Sequence, residues 1–218
     1  MKQITCPVFR DPANNGITPV WNKNCKVLLL GSVTAADGMR KGFYYGSKYN
    51  QLWELLDKSL NTTCFSKLKE QLNSNYIAYS EKQKDERTFL EDRAIISNQF
   101  KKELLSRGIA MCDVFKSCYA NCGSSLDQDI IVNNPAYPVT TYHDELEYFL
   151  NNSNITTVIA NSQFVVKQFE KMNIQGNFEV VYVPSPSPRK GAIDTKIDAW
   201  KDALADALNE PFKEPLVL

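Results

Sequence analysis

The run Lys26-Val27-Leu28-Leu29-Leu30-Gly31 constrains this chain more than any other stretch. An unbroken apolar series suits a strand covered on both faces, as in the interior of a parallel sheet. Gly31-Ser32 then turns the chain, and a strand that empties into a glycine turn is where open α/β sheets hold ligands. Three further runs have the same character: IAMCDVF (109–115), TTVIAN (156–161) and FEVVYVP (178–184). Helical periodicity lies between them. Leu52, Leu55, Leu56 and Leu60 share a face over 50–60, and Phe89, Ile96, Phe100 and Leu104 share one from Thr88 to a stop at Arg107-Gly108. Thr141 with Asp144 suits a cap over Leu146, Phe149 and Leu150, and Ser162 one over Val165, Val166, Phe169 and Met172. Asp194 or Thr195 opens a last helix with Ile197, Trp200, Leu204 and Leu208 inward. Strands alternating with helices predict an α/β fold, a three-layer α/β/α sandwich with a central four-stranded parallel sheet.

The remaining segments are less regular. Residues 1–25 read as an irregular lead broken by Pro7, Pro12, Pro19 and Asn14-Asn15-Gly16, with Val20 and Trp21 pinning it to the sheet. Residues 61–107 read as a helical, charged elaboration in which Glu81 to Arg87 is a solvated face or loop. Residues 116–140 read as a long loop of the kind that carries function, and 210–218 as a loose strap. The 218 residues suit a single domain over 1–218.

Composition narrows the class of partner. With 25 basic and 25 acidic residues, no global field draws the chain to nucleic acid, so any such contact rests on a local patch. No window reaches the length of a membrane span and no leader-like run opens the chain, so no membrane partner is expected. Six dispersed cysteines (Cys6, Cys25, Cys64, Cys112, Cys118, Cys122) without a secretion signal read as reduced thiols of a cytoplasmic, intracellular protein. Cys118 and Cys122 have no second pair to complete a metal site, and an iron–sulfur cluster needs four thiolates. No metal and no cofactor are expected. His143, the single histidine, sits at a helix start and reads as a surface residue.

Three loops leave the carboxyl ends of the first, second and fourth strands: GSVTAADGMRKGFYYGSKYN, DVFKSCYANCGSSLDQD and PSPSPRKG. The topology gathers them on one sheet edge. None contains GxGxxG or GxxxxGK[ST], which argues against a nucleotide-phosphate cradle. Tyr44 and Tyr45 beside Arg40, Lys41 and Lys48 suit a base and a phosphate instead. Asp37 is the nearest spare carboxylate and a candidate base; Asp113 and Asp127 are others. Taken alone, Asn50 reads as well as a helix cap, and Asp113 as well as a binder of backbone amides.

The pattern LLLGS, then GFYYGSKYNQLW, then GIAMCDVFKSCYANCGSSLDQDI, then VVYVPSPSPRKG resembles the uracil-DNA glycosylase superfamily. Within it the pattern is most similar to the hypoxanthine (deoxyinosine)-DNA glycosylase branch. The resemblance implies a monofunctional DNA glycosylase that hydrolyses the N-glycosidic bond of a deaminated base, hypoxanthine or uracil, without a metal. DNA, single- or double-stranded, is the implied partner, and a monomer the implied state. Asn50 matches the catalytic asparagine. The implied base pocket takes Gly31, Ser32, Tyr44, Tyr45, Ser124 and Asp127, with one tyrosine stacked on the extruded base. The implied DNA surface takes Ser185, Ser187, Arg189 and Lys190 of the last loop, pressed into the minor groove, with Arg40, Lys41 and Lys48 on phosphates.

The chain departs from the pattern in places. Thr34-Ala35 replaces a Pro-Gly, Ser32 stands where the mismatch-specific branch has an asparagine, and the aspartate motif of the uracil enzymes is missing. These departures keep a second reading open, a non-catalytic nucleic-acid or nucleotide binder on the same fold.

Overall fold

The computed structural model describes residues 7–121, 127–132 and 134–209. In chain order these form β1 (Pro7–Arg10), β2 (Val27–Gly31), α1 (Ala36–Lys41), α2 (Leu52–Ser59), α3 (Cys64–Ser80) and α4 (Glu86–Ser106). There follow β3 (Ile109–Asp113), β4 (Phe115–Asn121), β5 (Ile130–Ile131), β6 (Thr140–Thr141), α5 (His143–Asn151), β7 (Thr157–Ala160), α6 (Gln163–Met172), β8 (Glu179–Tyr182) and α7 (Ile197–Asn209).

The expected parallel sheet is present, in the order β3-β2-β7-β8. Leu28 lies in register with Ala110 on one side and Val158 on the other. Because side chains alternate across a strand, β2 feeds two separate cores. Val27 and Leu29 pack with Trp53, Phe65, Phe100 and Trp200 of α2, α3, α4 and α7. Leu28 and Leu30 pack with Leu146, Phe149, Val165 and Phe169 of α5 and α6. This is the α/β/α sandwich: β2, β3 and β7 are apolar because both faces are covered, whereas the edge strand β8 leaves Val180 and Tyr182 exposed.

Two segments read as irregular are ordered into a second, antiparallel sheet. Pro7–Arg10 is not part of a structureless lead: it pairs with Cys118–Asn121. The run 109–115 is not one strand either. The amides of Val114 and Phe115 bond the carbonyls of Gly31 and Ser32, and the chain then leaves the parallel sheet as β4. There β4 is flanked by β1 and β5, with β6 joined to its start. Much of the expected long loop is therefore strand. Val20 does pin the lead, exchanging backbone hydrogen bonds of 2.8 Å with Met111, while Trp21 stacks on Phe149 of α5.

Two helices, α4 and α6, begin on a side-chain cap. Asp85 accepts from the Thr88 amide and Ser162 from the Val165 amide, capping α4 and α6. Gly108 ends the α4 connection at φ +73°, a conformation that favours glycine. Thr141 does not cap α5: it is spent in β6, and Tyr142 precedes the helix without a side-chain cap. The charge run 81–87 forms the turn between α3 and α4 and the first residues of α4. The tail 210–218 lies outside the described residues. Among those described, no helix is long and apolar enough to cross a membrane.

Candidate active site

A cleft of about 510 Å³ opens at the carboxyl ends of the parallel strands. That size falls within the ~300–1,000 Å³ of small-ligand sites. One wall is the chain leaving β2, from Ser32 to Arg40; another is Tyr45 to Asn50; the third is Ser185 to Arg189. Asp113, Asp127 and Asn161 form the floor, and Arg10 of β1 closes the side. The Gln51 amide donates to the Pro186 carbonyl at 2.9 Å, so the Asn50 wall and the proline-rich wall are directly joined. Lys196, 1% exposed, reinforces the joint by donating to Gln51 Oε1 at 2.7 Å and to the Ser187 carbonyl at 2.8 Å.

Gly31 makes the floor possible. A Cβ there would collide with Asp113 Oδ1 and Tyr45 Oη, so only hydrogen at this position lets both reach the sheet edge. Asp113 is 2% exposed and accepts from Thr34 Oγ1 at 2.8 Å. Burial pushes its carboxyl up to about 7, against the opposing pull of the Thr34 hydrogen bonds and with help from Asp127. Asp127 is held by two hydroxyls, Ser32 Oγ on Oδ1 and Ser162 Oγ on Oδ2, each at 2.6 Å. Asn161 donates to Tyr45 Oη.

The two adjacent tyrosines part company. Tyr45 takes a left-handed backbone (φ +49°), fixed where Trp53 Nε1 donates to its carbonyl at 3.3 Å. This turn sends Tyr45 into the cleft and leaves Tyr44 in the core, 1% exposed and edge-on to Phe43. Burial raises both phenols well above their ordinary value. Tyr44 is therefore not available to stack on a ligand.

Asn50 faces the cleft and also caps α2: its Oδ1 accepts from the Leu52 amide at 2.9 Å. A carbonyl oxygen has a second lone pair, and among the described residues the Asn50 Nδ2 has no partner, so both remain usable from the cleft. Asp37 lines the cleft but pairs with Lys41 at 3.2 Å and Arg40 at 3.5 Å.

The other expected residues divide. Ser32, Arg40, Asp127, Ser185, Ser187 and Arg189 line the cleft with Asn50, Asp37, Asp113 and Tyr45. Lys48 and Lys190 are exposed and stand outside its lining. Lys41 is not a surface cation: it is 4% exposed, bonded to Asp37 and to Asn73 Oδ1 at 2.7 Å, and cannot contact a phosphate from there. Ser124 lies outside the described residues. Among those described, no group of His, Cys, Asp or Glu is placed to hold a metal ion.

Residues outside the expected set also matter. Asn161 is the polar terminus of an apolar strand, a signal readable in TTVIAN. Thr34 and Lys196 carried no such mark. Tyr49, beside Asn50 on the rim, is 72% exposed, with Lys48 Nζ 5.9 Å from its ring centre.

Fold and cleft together define an α/β/α protein with a candidate ligand cleft at the carboxyl edge of its sheet. A solved structure of similar fold is the solution NMR structure of a candidate uracil DNA glycosylase from Methanosarcina acetivorans. It aligns with a TM-score of 0.59 and 17% sequence identity, over 89% of this chain and 97% of that one. At that identity the likeness establishes the fold. No protein-family model and no curated protein matches the chain.

Proposed function

We propose that this protein is a monofunctional DNA glycosylase that hydrolyses the N-glycosidic bond of a deaminated base, hypoxanthine first and uracil second. The observation that carries the reading is the single cleft shared by Asn50, Asp113 and the 185–189 loop. Breaking this bond builds positive charge on the sugar and negative charge on the departing base. Asn50, through its free lone pair and Nδ2, holds a water at the sugar. Asp113, half ionised near pH 7, accepts a proton from that water, and its buried negative charge stabilises the cationic sugar. Tyr45 lies against the extruded base, with Asn161 fixing its hydroxyl. Arg40 and Arg189 at the mouth contact phosphate, and the proline-stiffened loop enters the groove. The structural neighbour, itself described as a candidate uracil DNA glycosylase, supports this reading.

The test is incubation with labelled single- and double-stranded oligonucleotides carrying inosine, uracil, xanthine or a G·T mismatch, followed by alkali. Scission at inosine or uracil is expected, with a loss of about a hundredfold in Asn50→Ala. No scission on any substrate sinks the proposal, and full activity in Asn50→Ala sinks the role of Asn50. A second reading, a nucleic-acid binder without chemistry, draws on one observation: Asn50 Oδ1 is already engaged as a helix cap. It predicts binding to the same oligonucleotides without cleavage.

A further inference from the structure

Residues 61–107 carry no cleft-lining side chain, yet one face of α3 reaches the site from behind. Lys69, Asn73 and Tyr76 fall at i, i+4 and i+7 and share that face. Lys69 Nζ donates to the backbone carbonyl of Asn50. Asn73 Oδ1 accepts from Lys41 Nζ at 2.7 Å, and Lys41 in turn holds Asp37 at 3.2 Å with its ammonium 5.5 Å from the Tyr76 ring centre. The same helix sends Phe65 under Trp53, ring centres 5.8 Å apart and nearly parallel. Two ammonium groups thus tie one helix face to two separate walls of the cleft.

The bonds on Asn50 show what this arrangement does. Its N–H donates to the Ser47 carbonyl at 3.1 Å, its Oδ1 accepts from Leu52, and its own carbonyl accepts from Lys69. The first two bonds are local and survive any pivot of residues 47–52 as a unit. The Lys69 bond is different: it anchors that unit to a helix 19 positions away in sequence. A charged donor on a carbonyl is among the stronger hydrogen bonds available, and Lys69 is half-buried, where water competes poorly. Burial lowers its pKa, Glu54 raises it and Lys41 lowers it.

We infer that α3 is a brace for the cleft and that Lys69 is a positioning residue, acting through the Asn50 backbone to set where the Asn50 amide presents to a ligand. Lys69 does not touch the ligand. This rests on the glycosylase reading for its consequence in catalysis, but the mechanical claim stands apart from it.

The experiment uses the full chain with Lys69→Met, which keeps the side-chain length and helix propensity, and Lys69→Arg, which keeps the donor. Amide hydrogen exchange on the free protein is the first readout. Exchange at Asn50, Gln51 and Leu52 is expected to quicken about tenfold in Lys69→Met while the interior of α3 is unchanged, a difference of one lost hydrogen bond. Single-turnover cleavage is the second. The rate is expected to fall about tenfold with oligonucleotide affinity and Tm near wild type, and Lys69→Arg to recover most of it. Unchanged exchange at 50–52 overturns the brace. A cleavage loss that follows a fall in Tm, or that resides in affinity, overturns the positioning role. A wild-type protein that cleaves nothing removes the glycosylase reading, and the exchange rates still decide the brace.

Discussion

Thr34 Oγ1 donates to Asp113 Oδ2 at 2.8 Å, and both side chains are buried at the carboxyl end of the parallel sheet. Burial keeps the proton on the Asp113 carboxyl up to about pH 7. The unfolded chain releases that proton near 3.8. Between these values the folded state holds a proton that the unfolded state has lost, so stability falls as pH rises through the window and levels off above it. The whole shift is worth at most about 4 kcal/mol. Asp113→Asn, which keeps an acceptor for Thr34, is expected to flatten the slope. Denaturant unfolding at about pH 4.5 and about pH 8 checks this, and equal slopes in both proteins would count against it.

The same carboxyl sets the expected rate profile. Acting as a base, it works when ionised, so single-turnover cleavage should rise through about pH 7 and reach a plateau above it. Asp113→Asn should remove that limb as well as most of the rate. A rate that instead declines through pH 7 assigns Asp113 as a proton donor to the base.

Gly31→Ala should be the most damaging small substitution in the site. The added methyl meets both Asp113 Oδ1 and Tyr45 Oη, each side chain held by a further hydrogen bond, from Thr34 and from Asn161. Overpacking of this kind costs about 1–3 kcal/mol, and the displaced carboxyl should cost activity as well. Calorimetry and the scission assay check it; a variant equal to wild type in both shows that the floor is mobile.

Much of this was legible in the sequence, and what was not has a physical cause. Val27–Leu30 and the runs of β3 and β7 announce a parallel sheet because they are apolar on both faces, the more exposed β8 joins them at an edge, and the sheet's topology then dictates which loops meet. The pairing of Pro7–Arg10 with Cys118–Asn121 could not be read, since short strands of mixed polarity find their partner only in space. Tyr44 and Tyr45 are equivalent in sequence and are separated by one left-handed residue. Lys41 looks like a surface cation until Asn73 and Tyr76 arrive from a helix that sequence reasoning treats as an appendage.

Lys196 should couple stability to the geometry of the cleft. Its buried ammonium is lowered in pKa by desolvation, and it donates to two neutral acceptors, Gln51 Oε1 and the Ser187 carbonyl. Lys196→Met relieves the buried charge but strands two half-buried acceptors, at no more than about 1–3 kcal/mol each. The balance should be a net loss of stability together with slower cleavage, because the 185–189 loop and the Asn50 wall lose their shared anchor. A variant more stable than wild type but slower would separate the two effects, and one unchanged in rate would show that the Gln51–Pro186 bond suffices alone.

On the glycosylase reading, Tyr49 offers the most direct test of where DNA would lie. It is 72% exposed on the rim, between Lys48 and Asn50, with Arg40 and Arg189 nearby at the mouth. An aromatic held out in this way suits stacking on a base beside the extruded one, worth about 1–3 kcal/mol. Tyr49→Ala should therefore weaken binding to an inosine-containing oligonucleotide about tenfold, while Tyr49→Phe keeps it. The hydroxyl is dispensable on this account and the ring is not. Fluorescence anisotropy at fixed salt checks the order of the three proteins, and salt must be fixed because the phosphate contacts are screened. Wild-type affinity in Tyr49→Ala would place the DNA away from this rim, whereas equal losses in the alanine and phenylalanine variants would mean that the hydroxyl, not the stacked ring, makes the contact.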